Sequence, residues 1–308
     1  MIKIRCMTID DLPLGLGLSR QAGWNQTESD WRRFMSMEPE GCFVAEFNGS
    51  SVGTTTTCVF GHQVAWIAMV LVDKEVRGRG IGTGLLKHAL DYLKERKAGT
   101  VRLDATPAGR PIYEKLGFVP EYELARFEGM VQRPPQAAPV SEAEAKVFSD
   151  LIEFDRRMTG TDRAKMLGRL FEEFPEHIRI VRQGNDVAGF ITMRPGANAI
   201  QAGPCIATAN AGPSLLSDAL NRCLGKPVFV DIPLDNVQAV KIAESSGLRV
   251  QRCFTRMCMG ERINEWRGRP GLGGEAVPAL PTGKMPAPLQ GQDALATAIW
   301  SSSGPEKG

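Results

Sequence analysis

The chain has 308 residues, a formal net charge of +2, and 43% apolar and 23% charged residues. At roughly 100–200 residues per domain this length implies two cores, and so balanced a charge excludes a chain-wide nucleic-acid or membrane surface. Seven scattered cysteines without a CxxC pair exclude a zinc ribbon and a disulfide framework and point to a reducing, cytoplasmic setting.

The N-terminus MIKIRCMTIDDLPLG has no signal-peptide core, and no apolar run nears the roughly 18 residues of a spanning helix. A strand is predicted over IKIRCMT, then a capped helix start at TIDDL. The polar stretch AGWNQTESDW leads into a second helix. Next, FVAEFNGSSVGTTTTCVF reads as strand, Asn48–Gly49 turn and strand. HQVAWIAMVLV is a long β-rich run. After it, Leu85, Leu86, Ala89, Leu90 and Leu93 fall on one helical face, with Lys87, Asp91, Lys94 and Glu95 opposite. TVRLDAT is a strand, PIYEKLGF a short helix, and ELARFEGMV a closing strand.

VQRPPQAAPVS is a Pro/Ala-rich linker. The expected domains are 1–130 and 141–262, joined by a linker over 131–140 and followed by a Gly/Pro-rich arm over 263–308. The second half resembles the first at a shift of 130 positions. Gly82, Leu85, Leu86, Ala89 and Leu90 fall on Gly212, Leu215, Leu216, Ala219 and Leu220, and Ile112, Glu114 and Gly117 on Ile242, Glu244 and Gly247. The strands VRLD and VFVD match at a shift of 127. The second half is thus expected to repeat the first fold.

Between the β-rich run and the amphipathic helix lies VDKEVRGRGIGTGLL. It fits neither GxGxxG nor GxxxxGK[ST]. It does fit RxxGxG at a helix start, twice: Arg77, Gly80, Gly82, and again Arg79, Gly82, Gly84. Glycines at alternate positions let backbone N–H groups turn inward, and the helix that follows adds its free N–H groups and positive dipole end. Such a nest suits a pyrophosphate.

The pattern VxxxxRGxGIGxxLL after a β-run, followed by YxxxGF, resembles the GNAT acetyltransferase superfamily. Val72, Arg77, Gly78, Gly80, Ile81, Gly82, Leu85 and Leu86 carry the first motif, and Tyr113, Gly117 and Phe118 the second. The whole chain is similar to tandem GNAT proteins with a degenerate second domain. The resemblance implies an α/β fold with two mixed sheets flanked by helices, and transfer of acetyl from acetyl-CoA to a primary amine, without a metal. It implies that N–H groups from Arg77, Gly78, Arg79, Gly80, Ile81, Gly82 and Thr83 hold the CoA pyrophosphate, and that Val70, Leu71 and Val72 pair with the pantetheine. It also implies Tyr113 as the general acid for the departing thiolate. Where the family often has Asn and Ala before this tyrosine, the chain has Thr106 and Gly109, so the cofactor contact expected there falls to Thr106.

The 130 shift turns Arg77, Arg79 and Gly80 into Ala207, Ala209 and Asn210, and Tyr113 into Ala243. The second half therefore keeps a scaffold without the anion nest or the acid, and is expected to shape the acceptor pocket. Asp73 is the carboxylate expected as the base, with Glu46 and Asp104 as rivals; His88 reads as solvated and His62 as a turn residue. Trp24 and Asn25 are expected to line the acceptor site as an aromatic wall and an amide. The acceptor is expected to be a small-molecule amine. A non-catalytic acyl-CoA-binding regulator and a protein lysine acetyltransferase are the alternatives.

Overall fold

The computed structural model describes residues 2–61, 63–132 and 139–263. His62, the linker over 133–138 and the arm beyond 263 lie outside the described residues. The first half runs β1 (Ile2–Cys6), α1 (Leu12–Gln21), α2 (Glu28–Met37), β2 (Cys42–Phe47), β3 (Ser50–Phe60), β4 (Val64–Val72), α3 (Ile81–Glu95), β5 (Thr100–Ala105), α4 (Arg110–Lys115), β6 (Val119–Met130). The second runs β7 (Ser141–Glu142), α5 (Phe148–Thr159), α6 (Ala164–Glu173), β8 (Ile178–Gln183), β9 (Asp186–Arg194), β10 (Ile200–Ala207), α7 (Gly212–Arg222), β11 (Pro227–Pro233), α8 (Val237–Ser245), β12 (Arg249–Gly260).

Local chemistry sets these elements. Asn48 and Gly49 both take positive φ at the β2–β3 turn, as a tight hairpin requires. Thr27 and Asp30 close a reciprocal cap on α2. The face of α3 predicted to be apolar is buried at Leu85, Leu86, Ala89 and Leu93, and it packs on Phe43, Ile67 and Val101 of the sheet.

All twelve strands form one mixed sheet, ordered β1-β2-β3-β4-β5-β12-β6-β11-β10-β9-β8-β7. The closing strands of the two halves cross the seam. β12, from the second half, lies between β5 and β6, and β6, from the first, lies between β12 and β11. Two buried ion pairs pin this exchange. Arg256 on β12 grips Asp104 on β5 with two bonds of 2.8 and 3.0 Å. Arg126 on β6 grips Asp231 on β11 at 2.8 and 2.9 Å. The pairs are related by the same shifts that relate the sequences, 130 for the arginines and 127 for the aspartates. Buried charges persist only when paired and hydrogen-bonded, and the bidentate fork satisfies that condition.

Helices α1 and α2 cover one face of the first-half strands, α5 and α6 the same face of the second. Helices α3 and α7 back the opposite face. At the seam the α1–α2 loop is clamped by the β9–β10 turn. The Asn25 amide donates to Ala199 O and accepts from the N–H groups of Asn198 and Ala199, all within 3.0 Å. Asn198 Nδ2 donates to Trp24 O, and Arg194 pairs with Asp30 at 3.0 Å. Gly196 is obligatory here, since a Cβ would stand 2.2 Å from the Asn25 amide.

Candidate active site

The site begins where β4 and β5 part. Their parallel pairing runs only from Val64–Thr100 to Trp66–Arg102. Beyond it, residues 67–72 and 103–105 diverge into a slot. On its other side β4 stays with β3 but carries one extra residue between Ala68 and Leu71. Met69 takes φ 53° in this bulge, a strained conformation for a side chain of its size, and the Thr54 hydroxyl donates to its carbonyl at 3.0 Å. The sequence gives no sign of the bulge: AWIAMVLV is apolar throughout, and nothing marks which residue is doubled. Val70, Leu71 and Val72 line the strand just past it, all buried.

At the end of β4 the chain turns through Asp73 and enters α3. Gly78 and Gly80 both have φ +77°, a region that glycine enters freely. No backbone N–H from Gly78 to Thr83 is hydrogen-bonded among the described residues. These groups and the start of α3 form an open, positively polarised cradle, the arrangement that binds phosphate oxygens. The two arginines differ. Arg77 turns back to donate to Val72 O at 3.0 Å, holding loop to strand. Arg79 is exposed, over the Phe47 ring at 5.4 Å, and supplies the charge at the rim.

Tyr113 lies on α4, 1% exposed and edge-on to Phe118. Its hydroxyl has no hydrogen-bond partner among the described residues. Burial pushes the phenol above its usual range, so it keeps its proton until a basic acceptor arrives. Thr106 is buried, and its hydroxyl accepts from Gly109 N at 3.1 Å; it fixes the entry to α4.

The carboxylates named from sequence are all engaged. Asp73 accepts from Glu75 N at 2.9 Å and from Gln21 at 3.1 Å. The Glu75 N–H above all, together with the Gln21 amide, holds its carboxyl below the usual range. That suits a charge that braces the loop more than one that takes up protons. Both Asp104 oxygens face Arg256, and Glu46 is tied to Arg5 at 2.7 Å. Trp24 is buried beside Asn25, whose amide is spent on the seam clamp. His88 is exposed at the edge of the Phe43 ring.

The second half repeats the slot without its chemistry. β10 carries the same one-residue bulge against β9, between Ala202 and Cys205, and parts from β11 after Ala202–Val230. The cleft there holds about 430 Å³ of open space, mouth included, lined by Cys205, Leu216, Val230, Ile232 and Ile242. At the start of α7, the N–H groups of Ala211 and Gly212 both donate to Thr208 O. The cradle is closed on itself.

Residues 13–118 match the family described as Acetyltransferase (GNAT) family, and residues 151–269 the Acetyltransferase (GNAT) domain. The chain is 28% identical over 182 residues to the holothin acyltransferase of a Pseudoalteromonas species, a match covering 59% of this chain and 61% of that one. It is 34% identical over 104 residues to N-alpha-acetyltransferase 30 of Schizosaccharomyces pombe, covering 32% and 69%. Its fold is similar to that of a Pyrococcus horikoshii protein assigned as an acetyltransferase, with a TM-score of 0.73 and 25% identity, covering 86% and 91%.

Proposed function

The chain belongs to the GNAT acetyltransferase family as an acyltransferase with two GNAT domains in tandem, and from that premise we propose that its first half transfers acetyl from acetyl-CoA directly to the amine of a small molecule. The observation that carries this reading is the row of unbonded N–H groups from Gly78 to Thr83, which opens beside the slot between β4 and β5.

In this reading those N–H groups and Arg79 hold the pyrophosphate. The free edge of β4 at Val70–Val72 pairs with the pantetheine amides as an added strand would. A β4 N–H next to the Met69 bulge polarises the thioester carbonyl as an oxyanion donor. The amine attacks that carbonyl, the C–S bond breaks, Tyr113 gives its proton to the thiolate, and the proton shed by the amine nitrogen passes through water to restore the phenol. Thr106 and Asp73 keep α4 and the loop in register. The second half sits across the acceptor side through Asn25 and the β9–β10 turn, which favours an enclosed small molecule over a protein surface.

The test is thermal unfolding with acetyl-CoA, CoA and desulfo-CoA. A ligand at a hundredfold excess over its Kd stabilises by about 2.7 kcal/mol. The reading expects a shift with all three, reduced in Arg79→Ala and kept in Tyr113→Phe. No shift with any of them overturns it.

A further inference from the structure

Gln21, the last residue of α1, is exposed, yet both polar atoms of its carboxamide are spent far along the chain. Its Nε2 donates to Asp73 Oδ2 at 3.1 Å, and its Oε1 accepts from Lys74 N at 3.3 Å. The two residues it holds open the loop that forms the cradle. The Asp73 side chain accepts from Glu75 N at 2.9 Å, and its carbonyl from Val76 N at 3.0 Å. Arg77, at the end of that turn, is tied back to Val72 O. Gln21 therefore fixes the first turn of the loop, and the open N–H groups from Gly78 onward follow from it.

The other side of Gln21 leads to the second half. The N–H groups of Ala22 and Trp24 donate to Leu18 O and Ser19 O at 3.0 and 2.9 Å, which winds these residues onto the end of α1. Trp24 O accepts from Asn198 Nδ2, and Asn25 O from Ala197 N, both at 2.9 Å. A continuous path of chain and hydrogen bonds thus joins the cradle loop, the α1–α2 loop and the β9–β10 turn. Coupling between sites is carried by contiguous contacts of this kind.

The second half has the same elements without the link. Thr208 matches Asp73: each follows its slot strand and donates its N–H to the neighbouring strand at 2.8 Å, to Ala188 O and Val52 O respectively. Helix α5 matches α1 and ends at Thr159. The Thr159 hydroxyl donates to Asp155 O at 2.8 Å and accepts from Thr161 N at 3.3 Å, so its bonds stay beside its own helix. Among the described residues no hydrogen bond joins Thr159 to residues 208–211. The link is present where the cradle is open and absent where the cradle is closed on Thr208 O. A contact that only anchored the helix would serve both halves equally.

We propose that Gln21 is a positioning residue that couples the two sides of the site. A pyrophosphate held on the cradle steadies the Asp73–Lys74 turn, and the Gln21 amide passes that order to the α1–α2 loop and the β9–β10 turn, which wall the acceptor side. Gln21 acts through these loops and not on the reacting atoms. This rests on the acetyl-transfer reading and adds the means by which a filled donor site readies the acceptor wall.

The test follows amide hydrogen exchange of residues 22–31 and 195–200 in the full chain, with and without saturating desulfo-CoA. In the wild type the ligand should slow exchange of both segments about fivefold, the low end for coupling between two sites. Gln21→Leu keeps bulk and loses both bonds; Gln21→Glu sets a carboxylate against Asp73. Each should remove that response while a desulfo-CoA thermal shift persists. The double variant Gln21→Glu/Asp73→Asn trades donor and acceptor: the carboxamide at 73 donates to the carboxylate at 21, which still accepts from Lys74 N. It should restore the slowing, a rescue that a merely structural role of Gln21 would not give. With the desulfo-CoA shift present, a wild type that shows no slowing, single variants that keep it, or a double variant that fails to restore it overturns the coupling and leaves acetyl transfer standing. No desulfo-CoA shift in the wild type overturns acetyl transfer, and the coupling with it.

Discussion

The loop entering α3 and the loop entering α7 stand at equivalent places in two copies of one scaffold. The first has two left-handed glycines, unbonded N–H groups and an exposed arginine. The second has an internal turn on Thr208 O and Pro213 in the first turn of its helix. Both copies keep the bulged strand and the parted pair beside it. The scaffold therefore builds a slot in either case, and loop chemistry alone decides whether an anion can be held at its mouth.

The sharpest break in that comparison is at Tyr113 and its counterpart Ala243. Tyr113→Phe should lower kcat by about 10²–10⁴-fold with acetyl-CoA affinity kept, and Ala243→Gly should leave both unchanged. Steady-state turnover with thiol detection, beside the thermal shift, reads this directly.

The seam should respond symmetrically where the loops do not. Removing one partner of a buried ion pair leaves an uncompensated charge, at about 3–5 kcal/mol. Asp104→Ala and Asp231→Ala should each cost that much in denaturant unfolding, in a single transition, because the exchanged strands tie the two halves together. Separate transitions would mean the halves fold apart despite the shared sheet.

A smaller effect sits at the clamp. Gly196→Ala forces a Cβ into the Asn25 amide, an overpacking worth about 1–3 kcal/mol, and should raise the acceptor KM more than that for acetyl-CoA. Gly84→Ala, where the nearest atom is Ile4 Cδ1 at 3.8 Å, should do neither.

Much of this was legible in the residues. The α3 stripe, the Asn48–Gly49 turn, the glycine loop and the repeat at 130 each have a local signature, because periodicity, turn chemistry and spacing act over a few positions. What stayed hidden depends on partners far along the chain. Asn25 was expected at the acceptor, yet its amide belongs to residues 198 and 199. The exchange of β6 and β12 could not be read either, since Arg126 and Asp104 each find their partner in the other half. The Met69 bulge follows from strand register, which an unbroken apolar run does not encode.

The last asymmetry is in acid. Arg5 holds Asp11 with two bonds of 2.8 Å, and this pair, chiefly through the Arg5 hydrogen bonds, keeps the Asp11 carboxyl below its ordinary range. A carboxyl depressed in the folded state stabilises the fold above its unfolded pKa of about 3.9, and that contribution fades as pH falls through the lower folded value. Asp11→Asn should therefore lose about 1 kcal/mol at neutral pH, the upper end for a partly exposed pair. The gap to wild type should close as the solution is taken below about pH 4. Urea unfolding of both proteins across that range checks it; a gap constant with pH would show that the substitution acts through packing rather than charge.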